Sequence, residues 1–350
     1  MATIAELVRE AYSNWDDAKV LSRTGQELHD RNRLDLAREV LERALKLNPK
    51  DVDAWAHLGF ANLRSFQPAQ GLATLREAVR RTDSDLLRGT LAGFTDDAEE
   101  RQALLAKIAD STAPAVRAAA ASLRLSSGEA QAFDELRRIA EENPDDQDVG
   151  DTWLWTLLNA RWRGTRKDLD LREVAVGLAE KRIAADPDRI LPRWMKAQML
   201  LAEQDWDGLR KATEEALEHH PDEETMMYLR GRALKEKGEL DRALQCFARA
   251  IGMKPSYAGA RAELGKTYEA QGKLDLAEEV FREIPRANPG FAGGPLGLAL
   301  FLGRQGRWEE AESIFLETWP RLEAWQKARI KQQPDAAPLL ARDRIKATVG

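Results

Sequence analysis

Thiol chemistry is almost missing from this sequence: Cys246 is the single cysteine among 350 residues. That excludes an intrachain disulfide framework and fits a reducing compartment. Histidine is scarce too, with four copies, so a multi-histidine metal centre or a catalytic base has little to draw on. No apolar run approaches the roughly 18 residues that a membrane span needs. The N-terminus, MATIAELVREAYSNWDD, has acids within its first ten residues and no apolar h-region, which argues against a secretory signal. An excess of positive charge is also lacking. With 53 Lys and Arg against 59 Asp and Glu, the net charge is -6 and the pI about 5.6, which opposes nucleic-acid binding as the main task but leaves a local basic patch open. A cytoplasmic protein without membrane insertion is expected.

What is present in abundance is periodicity. At 43% hydrophobic the chain can bury a large core, and its length alone would suggest two or three compact domains. Pro187, Pro221, Pro255 and Pro289 fall at intervals of 34 (221 - 187, 255 - 221, 289 - 255). Set on that ruler, the stretch from 224 lies over the stretch from 258: Gly231 matches Gly265, Gly238 matches Gly272, Ala243 matches Ala277 and Phe247 matches Phe281. Two further copies begin at 18, with Gly25, Ala37, Ala44 and Pro49 in register, and at 52, with Trp55, Leu58, Gly59 and Ala78.

Each copy reads as two helices. Apolar residues recur at three- and four-residue spacing, a Gly-Glu-Leu-Asp or Gly-Lys-Leu-Asp turn interrupts them, and a proline closes the unit. Small residues at the eighth and twentieth positions let the two helices approach closely. The large residue at the twenty-fourth is expected to fill the gap towards the next hairpin. One hairpin has too little core to fold alone, so neighbours must stack.

This pattern resembles the tetratricopeptide repeat. The resemblance covers nearly the whole chain and is strongest in the units from 18, 52, 224, 258 and 292. It implies an all-α, right-handed α-solenoid of about nine helical hairpins. The expected organisation is an N-terminal capping helix in 1–17, two regular units in 18–85, and irregular units in 86–189, comprising a short one at 86–112 and a long one at 147–189. Four units follow in 190–325, and a capping helix end with a basic tail occupies 326–350.

The stretch WLWTLLNARWRGTRKD, residues 153–168, is the one place where the ruler is stretched, to 43 residues between Pro144 and Pro187. WLWTLLNARW is read as the first helix and RGTRKDLD as an enlarged loop, with Gly164 ending the helix. Trp153 and Trp162 are assigned to packing. Trp155, two residues from Trp153, points to another side of the helix, towards groove or solvent. Together with Arg163, Arg166 and Lys167 it forms a secondary candidate site.

In proteins of the resembled family the first helix of each hairpin lines a concave groove, with positions five, nine and twelve on one stripe. Transferred to this chain, the resemblance implies a partner-binding surface made of Trp194, Gln198, Tyr228, Arg232, Lys235 and Lys266. Rings there would cover apolar side chains, and cations would meet acidic groups or carbonyls. Farther towards the N-terminus the same positions offer Ser22, Gln26 and His29, then Ala56, Phe60 and Leu63, a less charged surface. The Lys and Asn pair with which one subfamily grips chaperone C-termini is matched by no unit.

No catalytic machinery emerges. Gly265-Lys266-Thr267 imitates a phosphate loop, but Ala260 stands where a glycine is required and Gly265 holds a helix-packing position. His219 and His220 are adjacent on a helix end and point about 100° apart, unsuited to one metal. His29 and His57 both face the groove from neighbouring hairpins, which leaves a shared ion or a pH-sensitive contact open, but no metal and no cofactor is expected. Glycines 293, 294 and 297 predict a frayed or bent first turn in the last unit. The function expected is that of a non-enzymatic scaffold binding an extended segment of a partner protein. The alternative is an accessory or assembly subunit of an enzyme or secretion complex, binding through its convex face and C-terminal tail. RNA binding and an enzyme in the groove rank below both.

Overall fold

A computed structural model describes residues 2–31, 33–65, 68–163, 171–288, 293–322 and 324–349. Among the described residues there are 22 α-helices and no strand. The chain divides into two compact units, Met1–Met195 and Lys196–Gly350.

In the N-terminal unit α1 (Ile4–Ser13) precedes the hairpin α2 (Ala18–Asp30) and α3 (Leu34–Leu47). Next come α4 (Val52–Arg64) with α5 (Pro68–Thr82), and α6 (Asp85–Phe94) with α7 (Ala98–Lys107). The hairpins α8 (Pro114–Ser126) with α9 (Ala132–Glu142) and α10 (Gln147–Arg163) with α11 (Leu171–Ala185) complete the series. The division between the units falls within α12 (Ile190–Ala202), which is followed by α13 (Trp206–His219). The C-terminal unit continues with α14 (Glu224–Glu236) and α15 (Leu240–Met253), then α16 (Ala258–Ala270) and α17 (Leu274–Ala287). Its last hairpin is α18 (Gly293–Arg304) with α19 (Trp308–Thr318), and α20 (Ala324–Lys331), α21 (Ala337–Leu340) and α22 (Asp343–Val349) follow.

Local chemistry sets the ends of these helices. Asp17 caps α2 by accepting from the amides of Lys19 and Val20, Asp51 caps α4 through Ala54, and Asp97 caps α7 through Glu99 and Glu100. Gly238, Gly272 and Gly306 turn the hairpins with φ of 80, 72 and 75°. Gln204 stands one 34-residue period before Gly238 and holds the same left-handed conformation, at φ 56°, without the freedom that glycine has there.

Inside a hairpin the glycine at position eight is a contact surface. A Cβ on Gly25 would lie 2.6 Å from Leu41 Cγ, and one on Gly231 would lie 2.6 Å from Phe247 Cε1. The large residue at position twenty-four therefore seats on the glycine of its own hairpin, in addition to the expected filling of the gap towards the next. Phe281 does both: it covers Gly265 and also stacks on Phe301 of the following hairpin at 5.1 Å. Gly93 of the short hairpin meets Leu123 only at 3.6 Å, an ordinary distance.

Two other sequence readings change. In the stretched hairpin α10 has 17 residues against 13 for α14, so part of the surplus lengthens the first helix instead of enlarging the loop, and the helix runs on to Arg163. The start of α18 is not frayed at Gly294, which is buried; a Cβ there would lie 2.9 Å from Ile284 Cγ2 and 3.2 Å from the Pro285 nitrogen. The glycine lets α18 approach α17.

The C-terminal tail is docked. Leu339 and Ile345 are buried in one cluster with Leu302, Phe315 and Trp319. Arg342 Nε donates to Glu312 Oε1 at 2.5 Å, Arg344 reaches the other oxygen at 3.5 Å, and the Arg342 guanidinium lies over the Trp308 ring at 5.2 Å. Glu312 is buried, so these cations serve as its counter-ions and cap the last hairpin.

Candidate functional site

In the C-terminal unit, Tyr228, Arg232 and Lys235 recur at i, i+4 and i+7 on α14, which places them on one stripe. Lys266 comes from α16 of the next hairpin. The structure gathers the three cations around an acid that the sequence pattern does not single out, Glu263 on α16, only 8% exposed. Lys235 Nζ donates to its Oε2 at 2.6 Å and Lys266 Nζ to its Oε1 at 3.2 Å. Burial alone would raise the pKa of Glu263, but the attraction of Lys266, Lys235 and Arg232 prevails and holds it below the ordinary carboxylate range. Arg232 Nη1 donates to the Tyr228 hydroxyl at 3.4 Å. Burial opposes the charge of Arg232, yet the contact with Tyr228 and the field of Glu263 raise its pKa, so it stays a cation.

The aromatic part of this cluster is also larger than the sequence implied. The Tyr228 ring lies 5.2 Å from that of Tyr257 and 6.1 Å from Phe247. Lys254 sits over the Tyr257 ring at 5.8 Å and reaches the buried Glu224 at 3.4 Å. Burial pushes the Tyr257 phenol well above its usual pKa, so the hydroxyl remains protonated. Along the same face Glu269 accepts both arms of the Arg304 guanidinium, at 2.9 and 2.8 Å. Gln198 is half-buried on α12.

The remaining candidates lie in the N-terminal unit. Trp194 is half-buried and stacks against Trp155, ring centroids 6.0 Å apart and planes 22° apart. Trp155 is 42% exposed, whereas Trp153 is buried and meets Phe133 edge-on at 5.0 Å. Arg163 is the last residue of α10; its side chain and that of Trp162, and the whole of Arg166 and Lys167, lie outside what is described. Of that secondary candidate site, Trp155 alone has a described side chain.

The less charged surface of the N-terminal unit contains the other convergent group. His57 Nδ1 of α4 lies 3.2 Å from His29 Nδ1 of α2, and Asp30 Oδ1 lies 3.1 Å from the same His29 nitrogen. Burial first, and the neighbouring His29 second, lower the pKa of His57, which favours its neutral form. Phe60 packs near the His29 ring at 6.2 Å and meets Phe94 edge-on at 5.7 Å.

Neither surface has the parts of a phosphate loop or a nucleophile. Gly265 lies inside α16 against the Phe281 ring. Cys246 is buried against its own hairpin, and burial raises its thiol pKa, which opposes thiolate chemistry. No described helix is long and apolar enough to cross a membrane.

Comparison with known proteins agrees with the periodicity. A family model described as tetratricopeptide repeat matches residues 195–252 and 228–291, and one described as TPR repeat matches 25–65. No curated protein matches by sequence. Among solved structures, yeast Tom70 is similar over 93% of this chain and 74% of its own, at 16% identity and a TM-score of 0.51. A monomeric mutant of IFIT1 with Gppp-AAAA is similar over 85% of this chain and 78% of its own, at 16% identity and a TM-score of 0.50. These likenesses concern the fold.

Proposed function

We propose, since the chain belongs to the tetratricopeptide repeat proteins, that it is a non-enzymatic, cytoplasmic scaffold that holds an extended segment of a partner protein on first-helix faces. The observation that supports this most is the Tyr228, Arg232, Lys235 and Lys266 group fixed around Glu263. Three cations face Glu263 and, beside Lys235 at 3.6 Å, Glu236, which leaves one positive charge in excess. That balance suits a segment with a single carboxylate placed next to an apolar side chain, the ring of Tyr228 covering the latter. Because the cations are already oriented by Glu263, little side-chain entropy is lost when a ligand arrives. Trp194, with Trp155, offers a second aromatic surface to such a segment.

An array of extended peptides, each with one acidic residue, separates this reading from its rivals. Peptides retained by the wild type should be lost from the double variant Tyr228→Ala/Arg232→Ala while its melting temperature stays close to that of the wild type. Retention of the same peptides by a folded variant would overturn the site. The accessory-subunit reading has less support, because Arg342 and Arg344 of the tail are engaged by Glu312 and do not form a free basic arm. RNA binding is opposed by the net charge of -6; salt-sensitive RNA retention, which counterion release demands, would revive it.

A further inference from the structure

We propose that His29, His57 and Asp30 form a binding site for one divalent first-row transition-metal ion of the zinc class. The chain has four histidines, and two of them, 28 positions apart (57 - 29), are brought from neighbouring hairpins with their Nδ1 atoms face to face at 3.2 Å. Asp30 Oδ1 stands 3.1 Å from the first of these nitrogens, and the three donor atoms lie within 4.8 Å of one another. Two donors on a tetrahedral ion with bonds of about 2.0–2.1 Å are about 3.3–3.4 Å apart. Both measured contacts are thus the spacing of atoms that share an ion, and a small rotation of the exposed Asp30 side chain closes the third.

The single proton of His29 Nδ1 can go to His57 or to Asp30, and a second donor is needed to satisfy the group left over. A metal ion replaces those protons and engages all three lone pairs at once. The donor set of two imidazoles and one carboxylate selects against calcium and magnesium, which take oxygen ligands, and suits zinc, cobalt or nickel. Two surroundings help. Asp30 is the last residue of α2, where the helix dipole favours a cation, and Phe60, itself packed on Phe94, places an apolar ring beside the His29 imidazole. Three protein ligands leave a fourth position open, as in zinc sites that keep an exchangeable ligand. This site belongs to the N-terminal unit and shares no residue with the Glu263 cluster, so it stands or falls independently of the scaffold reading.

The test uses the full chain, stripped with a chelator and titrated with zinc chloride by calorimetry, with cobalt chloride as an optical probe. One ion per chain is expected, with visible bands of four-coordinate cobalt and a rise in melting temperature as zinc is added. His57→Ala should weaken binding about 100-fold and Asp30→Asn about 10-fold, while the double variant His219→Ala/His220→Ala binds as the wild type does. His57 is half-buried and the variant is expected to fold; circular dichroism checks this, and Asp30→Asn, at an exposed position, tests the same site if it does not. Absence of a stoichiometric zinc isotherm, binding unchanged in both His57→Ala and Asp30→Asn, or binding abolished by the His219 and His220 changes would overturn the assignment.

Discussion

The first-helix faces of the two units are drawn from the same repeat and satisfy their polar groups in opposite ways. In the N-terminal unit His29 and His57 face each other beside Phe60 and Phe94, and Asp30 supplies the carboxylate in reach. In the C-terminal unit Glu263 and Glu269 bind Lys235 and Arg304 across neighbouring hairpins, and Glu263 also binds Lys266 of its own helix. In the first, burial favours the neutral form of His57; the second is a network of ion pairs, which salt weakens. One repeat thus carries two surface chemistries, because it prescribes its packing positions and leaves its surface positions to vary.

The largest expected effect concerns the acid that organises the charged face. Glu263→Gln should lower the stability of the chain to urea by about 2 kcal/mol, a buried pair broken but partly relieved by the solvent around its lysines. The same variant should bind acidic peptides more tightly, since the cations lose their internal partner; weaker binding would show that Glu263 only positions them. The folded pKa of Glu263 lies below its ordinary 4.5, so its contribution is complete above pH 4.5 and is lost as pH falls below. The gap between wild type and variant should close there.

Next in size is a change that should treat both units alike. Gly25→Ala and Gly231→Ala each force a methyl group to within 2.6 Å of Leu41 or Phe247 and should each cost about 1–2 kcal/mol in denaturant titrations. Gly93→Ala, in the short hairpin with its nearest neighbour at 3.6 Å, should be neutral or stabilising by a few tenths of a kcal/mol as helix propensity improves. Equal costs at all three glycines would mean that the short hairpin shares the tight packing of the regular ones.

The smallest effect separates the faces by pH. Burial lowers the pKa of His57 below its ordinary 6.5, so the stability tied to its neutral form is complete above pH 6.5 and declines as pH falls through the lower folded value. Melting temperature should fall by a few degrees between pH 7 and 5 in the wild type and by less in His57→Gln, whereas Glu263→Gln should leave that slope as it is. A wild-type slope retained by His57→Gln would remove the imidazole pair as the cause.

Much of this molecule is legible in one dimension. The 34-residue spacing of prolines, the glycines that seat Leu41 and Phe247, and the turn glycines at 238 and 272 all act within one hairpin, through contacts a few turns of helix apart, and sequence neighbours report such contacts faithfully. Tyr228, Arg232 and Lys235 are readable as a stripe for the same reason. Glu263 is not, because its meaning depends on Lys235, 28 residues away (263 - 235), and on being buried; by sequence it is one acid among 59 Asp and Glu. Whether the basic tail is ordered is not legible either, because composition cannot reveal that Ile345 is buried or that Glu312 lies buried with a cation beside it.

The sequence by itself determined the repeat, the helical pairing and the residues that let helices touch, since these follow from periodicity and side-chain size. Only the tertiary structure decided which charges cancel, which ring meets which, and that His29 and His57 converge, because those outcomes depend on distances between hairpins and on the desolvation that stacking imposes.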